Sequence, residues 1–227
     1  MNELTLPTHI GFIMDGNRRW AQAKGVLKSI GHAQGADTAK KIVKHAVKRG
    51  IKIVSFYCFS KENWNREKSE VEYLMQLFAK FFDHNIEAFH KLGVKLRYIG
   101  ETNGLPENLQ DCIARGTEKT KENPGTIVQI ALNYTGRDEI VRAVKKLVAK
   151  NEEINEENIS LNLDTEGSHD PDLIVRTSGE QRLSGFLLWQ AAYSEFYFTE
   201  TAWPAFTSKD FDKAIEVYQH RQRRFGV

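Results

Sequence analysis

Two rhythms of apolar and polar positions alternate along this chain. Short runs that are apolar nearly throughout, at residues 10–14, 51–59, 94–99, 126–132 and 172–175, read as strands covered on both faces. A further strand is expected over residues 195–199, beginning at Glu195. Between them run segments with apolar residues at helical spacing. In residues 35–49, Ala39, Ile42, Val43, Ala46 and Val47 share one face, and Gly50 is a natural stop. Residues 69–92 carry Val71, Leu74, Met75, Phe78, Phe81, Phe82, Ile86 and Phe89 at the same spacing. Shorter helices are expected at 20–24, 107–121, 137–150 and 208–218, with a loop over 26–32 and a solvated connection over 151–158. Strands alternating with helices predict an α/β fold, one domain over residues 1–227 with a mostly parallel sheet of about six strands covered by helices on both faces.

The strand ends carry the chemistry. The first strand stops at Asp15-Gly16-Asn17-Arg18-Arg19-Trp20. Carboxyl ends of parallel strands are the usual ligand crevice. Gly16 permits close backbone approach to an anion, and the arginines are forked, permanently charged phosphate donors. Asp15 fits such a place if a divalent cation stands between carboxylate and phosphate. A polar turn with solvated arginines explains this stretch equally well on its own. The second strand ends in Ser60-Lys61-Glu62-Asn63-Trp64-Asn65-Arg66, again polar residues, a tryptophan and an arginine. The 172–175 strand runs into Arg176-Thr177-Ser178-Gly179-Glu180-Gln181-Arg182-Leu183-Ser184, a second dense anion signal. Lys28 and His32 add two donors, in a loop on this reading.

Composition narrows the classes. With 41% hydrophobic and 27% charged residues the chain is ordinary for a globular protein, and a net charge of +2 gives no reason to expect nucleic acid. Cys58 and Cys112 lack metal spacing and read as reduced core thiols of a cytoplasmic protein. The longest apolar runs fall well short of the roughly 20 residues of a membrane span, so membrane contact is expected to be peripheral. Residues 1–4 do not look like a signal peptide. The nucleotide motifs GxxxxGK[ST] and GxGxxG and the carboxylate motif DDxxD do not occur, which removes three common phosphate-handling classes.

Taken together in this order, HIGFIMDGNRRWA, GHAQG, YCFSKENWNR, NYTGR, DLIVRTSGEQRLSGFLLWQ and YSEFYFTETAWP resemble the cis-prenyltransferases, over nearly the whole chain. The resemblance implies condensation of isopentenyl diphosphate units onto an allylic starter such as farnesyl diphosphate, with Mg2+, giving a long-chain polyprenyl diphosphate of the undecaprenyl type for cell-wall glycan transport. It implies that Asp15 is the central catalytic residue and a metal ligand, with Glu195 the second metal-associated carboxylate. Gly16, Asn17, Arg18, Arg19, Trp20, Lys28 and His32 would hold the starter. Ser60, Lys61, Glu62, Asn63, Trp64 and Arg66 would form a loop beside the reacting carbons, with Asn63 assisting proton removal. Arg176, Arg182, Leu183 and Ser184 would hold isopentenyl diphosphate. A hydrophobic tunnel, with Phe78, Phe81, Phe82 and Ile86 as lining, would take the growing chain. A homodimer is implied, with residues 221–226 reaching the neighbour's site. Lys28, Gln181 and Gly185 depart from residues common in the family at those positions. The alternative is a non-catalytic binding subunit that keeps the fold.

Overall fold

The computed structural model describes residues 5–221. Six strands form one sheet: β1 (His9–Ile13), β2 (Ile53–Ser60), β3 (Lys95–Ile99), β4 (Ile127–Tyr134), β5 (Leu173–Arg176) and β6 (Glu195–Phe198). Their order is β3-β4-β2-β1-β5-β6, and all five pairings are parallel. The helices are α1 (Asn17–Ala23), α2 (Lys28–Arg49), α3 (Lys68–Lys91), α4 (Glu107–Thr120), α5 (Gly136–Lys150), α6 (Glu156–Asn162) and α7 (Ser208–Gln219). Because β1 and β2 are buried at nearly every position, their sequences are apolar runs rather than alternations. A large core joins Phe12, Val54 and Phe56 of the sheet to Ile42, Leu74, Phe89, Leu109 and Phe211 of α2, α3, α4 and α7. A smaller core gathers Ile13, Ile99, Ala131, Tyr134, Ile174 and Phe186.

The expected elements are present, with two informative shifts. The segment read as a loop over 26–32 is the first turn of α2, which begins at Lys28. Gly31 falls in that expected loop and Gly35 at the expected helix start, yet both are helix-interior positions pressed against α1. A Cβ on Gly31 would lie 2.2 Å from the Asn17 carbonyl oxygen, and one on Gly35 would lie 2.3 Å from Asn17 Oδ1. The glycines set the approach of two helices, so tertiary packing overrides their poor helix propensity. Residues 156–162 also close into the short helix α6, nucleated by Asn155, whose side chain accepts from the Asn158 N–H at 2.8 Å.

A polar ladder crosses the buried sheet. His9 Nδ1 lies 2.6 Å from the His169 carbonyl oxygen and Nε2 lies 2.7 Å from Ser55 Oγ; Ser55 Oγ donates to Gln129 Oε1 at 2.7 Å. Gln129 Nε2 donates to Ser168 Oγ at 2.6 Å. Burial lowers the His9 pKa from 6.5 to about 4, against the raising effect of the His169 carbonyl and Asp172.

Two outcomes are expected. Gly31→Ala will lower stability by about 1–3 kcal/mol, read as a fall in thermal midpoint, because the Asn17 backbone cannot yield without moving α1. His9 is neutral in both states above its unfolded pKa of about 6.5, so it contributes no pH dependence there. As pH falls from 6.5 toward 4, the unfolded chain takes up the proton first and stability drops. Denaturant midpoints measured across that window will show a shallower acid slope for His9→Gln than for the native chain.

Candidate active site at the carboxyl ends of the strands

Strands β1, β5 and β2 end side by side, because Ile13 pairs with both Arg176 and Tyr57. That register brings Asp15, Arg176 and Ser60 to the rim of one cleft of about 490 Å3. Asp15 is fixed through its own backbone: its carbonyl accepts from the Trp203 N–H at 2.9 Å and from Thr177 Oγ1 at 2.7 Å. Its carboxylate accepts from the Gly16 N–H at 2.7 Å and from Arg176 Nη2 at 3.0 Å, with Arg19 Nη2 at 3.3 Å. Gly16 adopts a φ of 101°, and a Cβ there would sit 2.6 Å from Ser178 Oγ, so only glycine fits the turn.

Partial burial works against the charged form of Asp15, but the Arg176 hydrogen bond and charge, the Gly16 N–H and Arg19 outweigh it and hold the carboxyl below its usual range. Arg176 is only 4% exposed. It also donates to Ser184 Oγ at 2.8 Å and to the Arg182 carbonyl, while its Nε faces no protein acceptor. On the far wall Glu70 gathers cations: Arg66 Nη1 donates to it at 3.2 Å, Arg18 Nε lies 3.9 Å away and His32 Nε2 lies 3.4 Å away. The His32 contact lacks hydrogen-bond geometry and leaves Nε2 without a partner. Burial lowers the His32 pKa, partly offset by the Glu70 charge. Two other cleft residues are not bases at neutral pH: burial pushes the Cys58 thiol up to about 12 and raises the Tyr57 phenol.

Asp15, Gly16, Asn17, Arg18, Arg19, His32, Ser60, Asn63, Arg66, Arg176 and Ser184 all line the cleft. The Asn63 amide oxygen accepts from the Ser60 N–H at 3.2 Å, so this side chain braces its own turn. Beneath the cleft an apolar slot of about 90 Å3 continues, sharing Met14, Asn17, His32 and Leu74 and bounded by Leu77, Phe78 and Phe81. Phe82 and Ile86, expected as lining, are core residues instead; they point from α3 into the large hydrophobic cluster.

Several expected contact residues lie elsewhere, each for a local reason. Lys61 turns away from the cleft, its Nζ 2.5 Å from Glu101 Oε2 and 2.6 Å from Asp138 Oδ1. The Trp64 indole N–H donates to Asn133 Oδ1 at 2.8 Å, with its ring edge-on to Phe59, and Glu62 is exposed and outside the cleft lining. Lys28 pairs with Glu67 at 3.4 Å, and Trp20 is a half-buried residue of α1 outside the lining. Arg182 is exposed and paired with Glu180, which in turn lies 3.3 Å from Arg19; Leu183 packs on the smaller core. Glu195 is the clearest correction. It pairs with Leu173, and Leu173 with Ile10, so it stands at the amino end of the sheet, whereas Asp15 follows the carboxyl end of β1. Glu195 accepts from Arg221 at 2.7 Å and is not a second carboxylate beside Asp15 within one chain. Among the described residues no cluster of three metal-ligating side chains occurs. The expectation for the tail falls, beyond Arg221, outside the described residues.

Glu70, Thr177, Tyr57 and Trp203 shape the site without having been singled out in the sequence. Tyr57, Thr177 and Trp203 fall inside the family motifs, whereas Glu70 lies outside them and left no signal in the sequence.

The family described as "Putative undecaprenyl diphosphate synthase" matches residues 13–226. The chain belongs to this cis-prenyltransferase family. It is 46% identical to an isoprenyl transferase of Lactococcus lactis over 99% of this chain and 95% of that one. It is 44% identical to the ditrans,polycis-undecaprenyl-diphosphate synthase of Buchnera aphidicola, over 96% of this chain and 90% of that one. Among solved structures, lavandulyl diphosphate synthase from Lavandula x intermedia, in complex with dimethylallyl diphosphate, superposes with a TM-score of 0.95 at 36% identity. A probable undecaprenyl diphosphate synthase from Campylobacter jejuni superposes with a TM-score of 0.85 at 37% identity; both cover all of each chain. The positive φ of 85° at Gly185 accounts for one departure from the family pattern, since glycine and asparagine are the residues that tolerate the left-handed region.

Arg176→Met will raise the Asp15 pKa, because it removes both the hydrogen bond and the charge that favour the carboxylate. The Asp15 side-chain 13C resonance, followed through a pH titration, will move its midpoint upward relative to the native protein.

Proposed function

We propose that this cis-prenyltransferase elongates farnesyl diphosphate with isopentenyl diphosphate into a long Z-polyprenyl diphosphate, of undecaprenyl length. The observation that carries the reading is the Asp15–Arg176 contact at the head of a cationic cleft that opens onto an apolar slot. A ligand with a charged head and a greasy tail suits that junction. Arg18, Arg19, Arg66 and Arg176 face the head end, where an anion would be held by forked donors.

In this reading the allylic carbon–oxygen bond breaks, the isopentenyl double bond attacks the freed carbon, and loss of a proton to the released diphosphate completes the unit. Negative charge develops on the leaving diphosphate, and preorganised guanidinium groups lower its cost. Arg176, buried and already oriented by Asp15 and Ser184, needs no reorganisation to do so. Mg2+, when bound, neutralises diphosphate charge, and it commonly takes one or two protein carboxylates with the rest of its shell from phosphate and water. Asp15 is suited to be that carboxylate, since it is held ionised at the cleft. Asn63 positions rather than accepts a proton, because a neutral amide is a poor base and its oxygen is already engaged by Ser60. Half-buried Phe78 and Phe81 would guide the first isoprene units of the tail.

Assembly and membrane contact belong to the same proposal. Val141 and Val148 on α5 and Leu161 on α6 are exposed and offer a face for a second copy. No helix among the described residues is long and apolar enough to cross a membrane, and a peripheral encounter would suffice for release of a lipid product. The binding-subunit alternative is not favoured, since Asp15, Arg176 and Arg66 line one cleft.

Purified protein with Mg2+, farnesyl diphosphate and labelled isopentenyl diphosphate will yield a product of about eleven isoprene units by thin-layer and mass analysis. Asp15→Ala will reduce the rate at least about a hundredfold, the scale expected for losing a principal charge-stabilising group. A native protein that makes no product would return the reading to the binding subunit.

A further inference from the structure

The segment between β2 and α3 is a short 3₁₀ turn, Lys61–Asn65, capped by Ser60 and closed by Arg66. Such a turn has three residues per turn, so positions i and i+3 lie above one another. The period divides this segment into faces. Ser60, Asn63 and Arg66 face the cleft. Lys61 and Trp64 face the opposite way, toward the 101–103 loop and the start of α5.

On that back face the contacts form one connected set. Lys61 Nζ bridges Glu101 and Asp138. Asp138 also accepts from Arg142 Nε at 2.8 Å, and Arg142 forks onto Asp164 at 2.7 and 2.6 Å. Asp164 in turn accepts from the Gly100 N–H at 3.0 Å. Asn133, which receives the Trp64 indole, donates to the Glu101 and Asn103 carbonyls at 3.0 and 3.1 Å. Without Lys61, Glu101 and Asp138 would lose the cation between them and the turn would lose its charged tie to that wall. Lys61 is the one charged side chain by which the turn itself joins this set.

We propose that Lys61 is a positioning residue, a latch whose bridge to Glu101 and Asp138 holds the turn so that Asn63 and Arg66 stay at the cleft. It acts through those two side chains and touches no substrate. Its effect on turnover rests on the transferase reading; its effect on the turn does not.

The test compares Lys61→Met, which keeps length and loses charge, with Lys61→Arg, which keeps the charge, and with Glu101→Gln, which weakens the bridge from the other side. Amide hydrogen exchange over residues 61–66 in the ligand-free protein is expected to speed up about three- to tenfold in Lys61→Met, to remain near native in Lys61→Arg and to rise partly in Glu101→Gln. In the elongation assay the KM for isopentenyl diphosphate is expected to rise by about the same factor in Lys61→Met, with rescue by Lys61→Arg, while the thermal midpoint stays within about 2 °C. Unchanged exchange in Lys61→Met overturns the latch, whatever the activity. Faster exchange with an unchanged KM overturns its positioning role. If the native protein fails to elongate, the exchange arm still decides whether Lys61 holds the turn.

Discussion

The contact between Arg176 and Asp15 is the interaction on which the cleft depends. An arginine buried this deeply is tolerated only with partners, since an isolated charge taken out of water costs several kcal/mol. Asp15 supplies the opposite charge, and Ser184 and the Arg182 carbonyl supply acceptors. The same contact keeps Asp15 ionised while it is half-buried. Each residue therefore makes the other's position affordable, and together they place a carboxylate and a guanidinium where an anion and its counter-ion can both be met.

Strand register and ties to the Asp15 backbone fix the pair. The parallel register of β1 with β5 sets Ile13 against Arg176, and the Asp15 carbonyl is tied to Trp203 and Thr177. Trp203 also donates to the Gly35 carbonyl at 2.8 Å, which links the turn to α2. Helix α2 can approach only because Gly31 and Gly35 carry no side chain. The chain of contacts runs from helix packing to turn to carboxylate, so a methyl group at Gly31 would be felt at Asp15 through rigid neighbours.

Charge around the cleft is distributed in two ways. Inside, cations outnumber carboxylates, with Arg18, Arg19, Arg66 and Arg176 against Asp15 and the recessed Glu70. Behind the Lys61–Asn65 turn the balance reverses, with Glu101, Asp138 and Asp164 against Lys61 and Arg142. The turn lies between these two fields. A segment so placed can carry alternating duties on three-residue spacing, which is why a run of polar residues that looks uniform in sequence splits into a cleft face and an anchor face.

The sequence by itself determined the α/β class, the six strands in order, every helix but the short α6, and the three strand ends where chemistry gathers. These are local properties: apolar runs fit a sheet covered on both sides, helical spacing fits an amphipathic helix, and polar residues after a strand mark the crevice. It also held the family motifs, which pointed to Asp15, Asn63 and Arg176 as cleft residues. What only the tertiary structure decided was direction. Lys61 and Trp64 share a motif with Asn63 yet face the other way, because a 3₁₀ turn rotates neighbours apart. Glu195 looks like a partner for Asp15 until the β5–β6 register places it at the opposite end of the sheet. Gly31 falls in the expected loop and Gly35 at the expected helix start, and both prove to be contacts inside α2. Spacing along a chain fixes which residues are near one another in sequence; which way each side chain points is set by pairing and packing that join residues far apart.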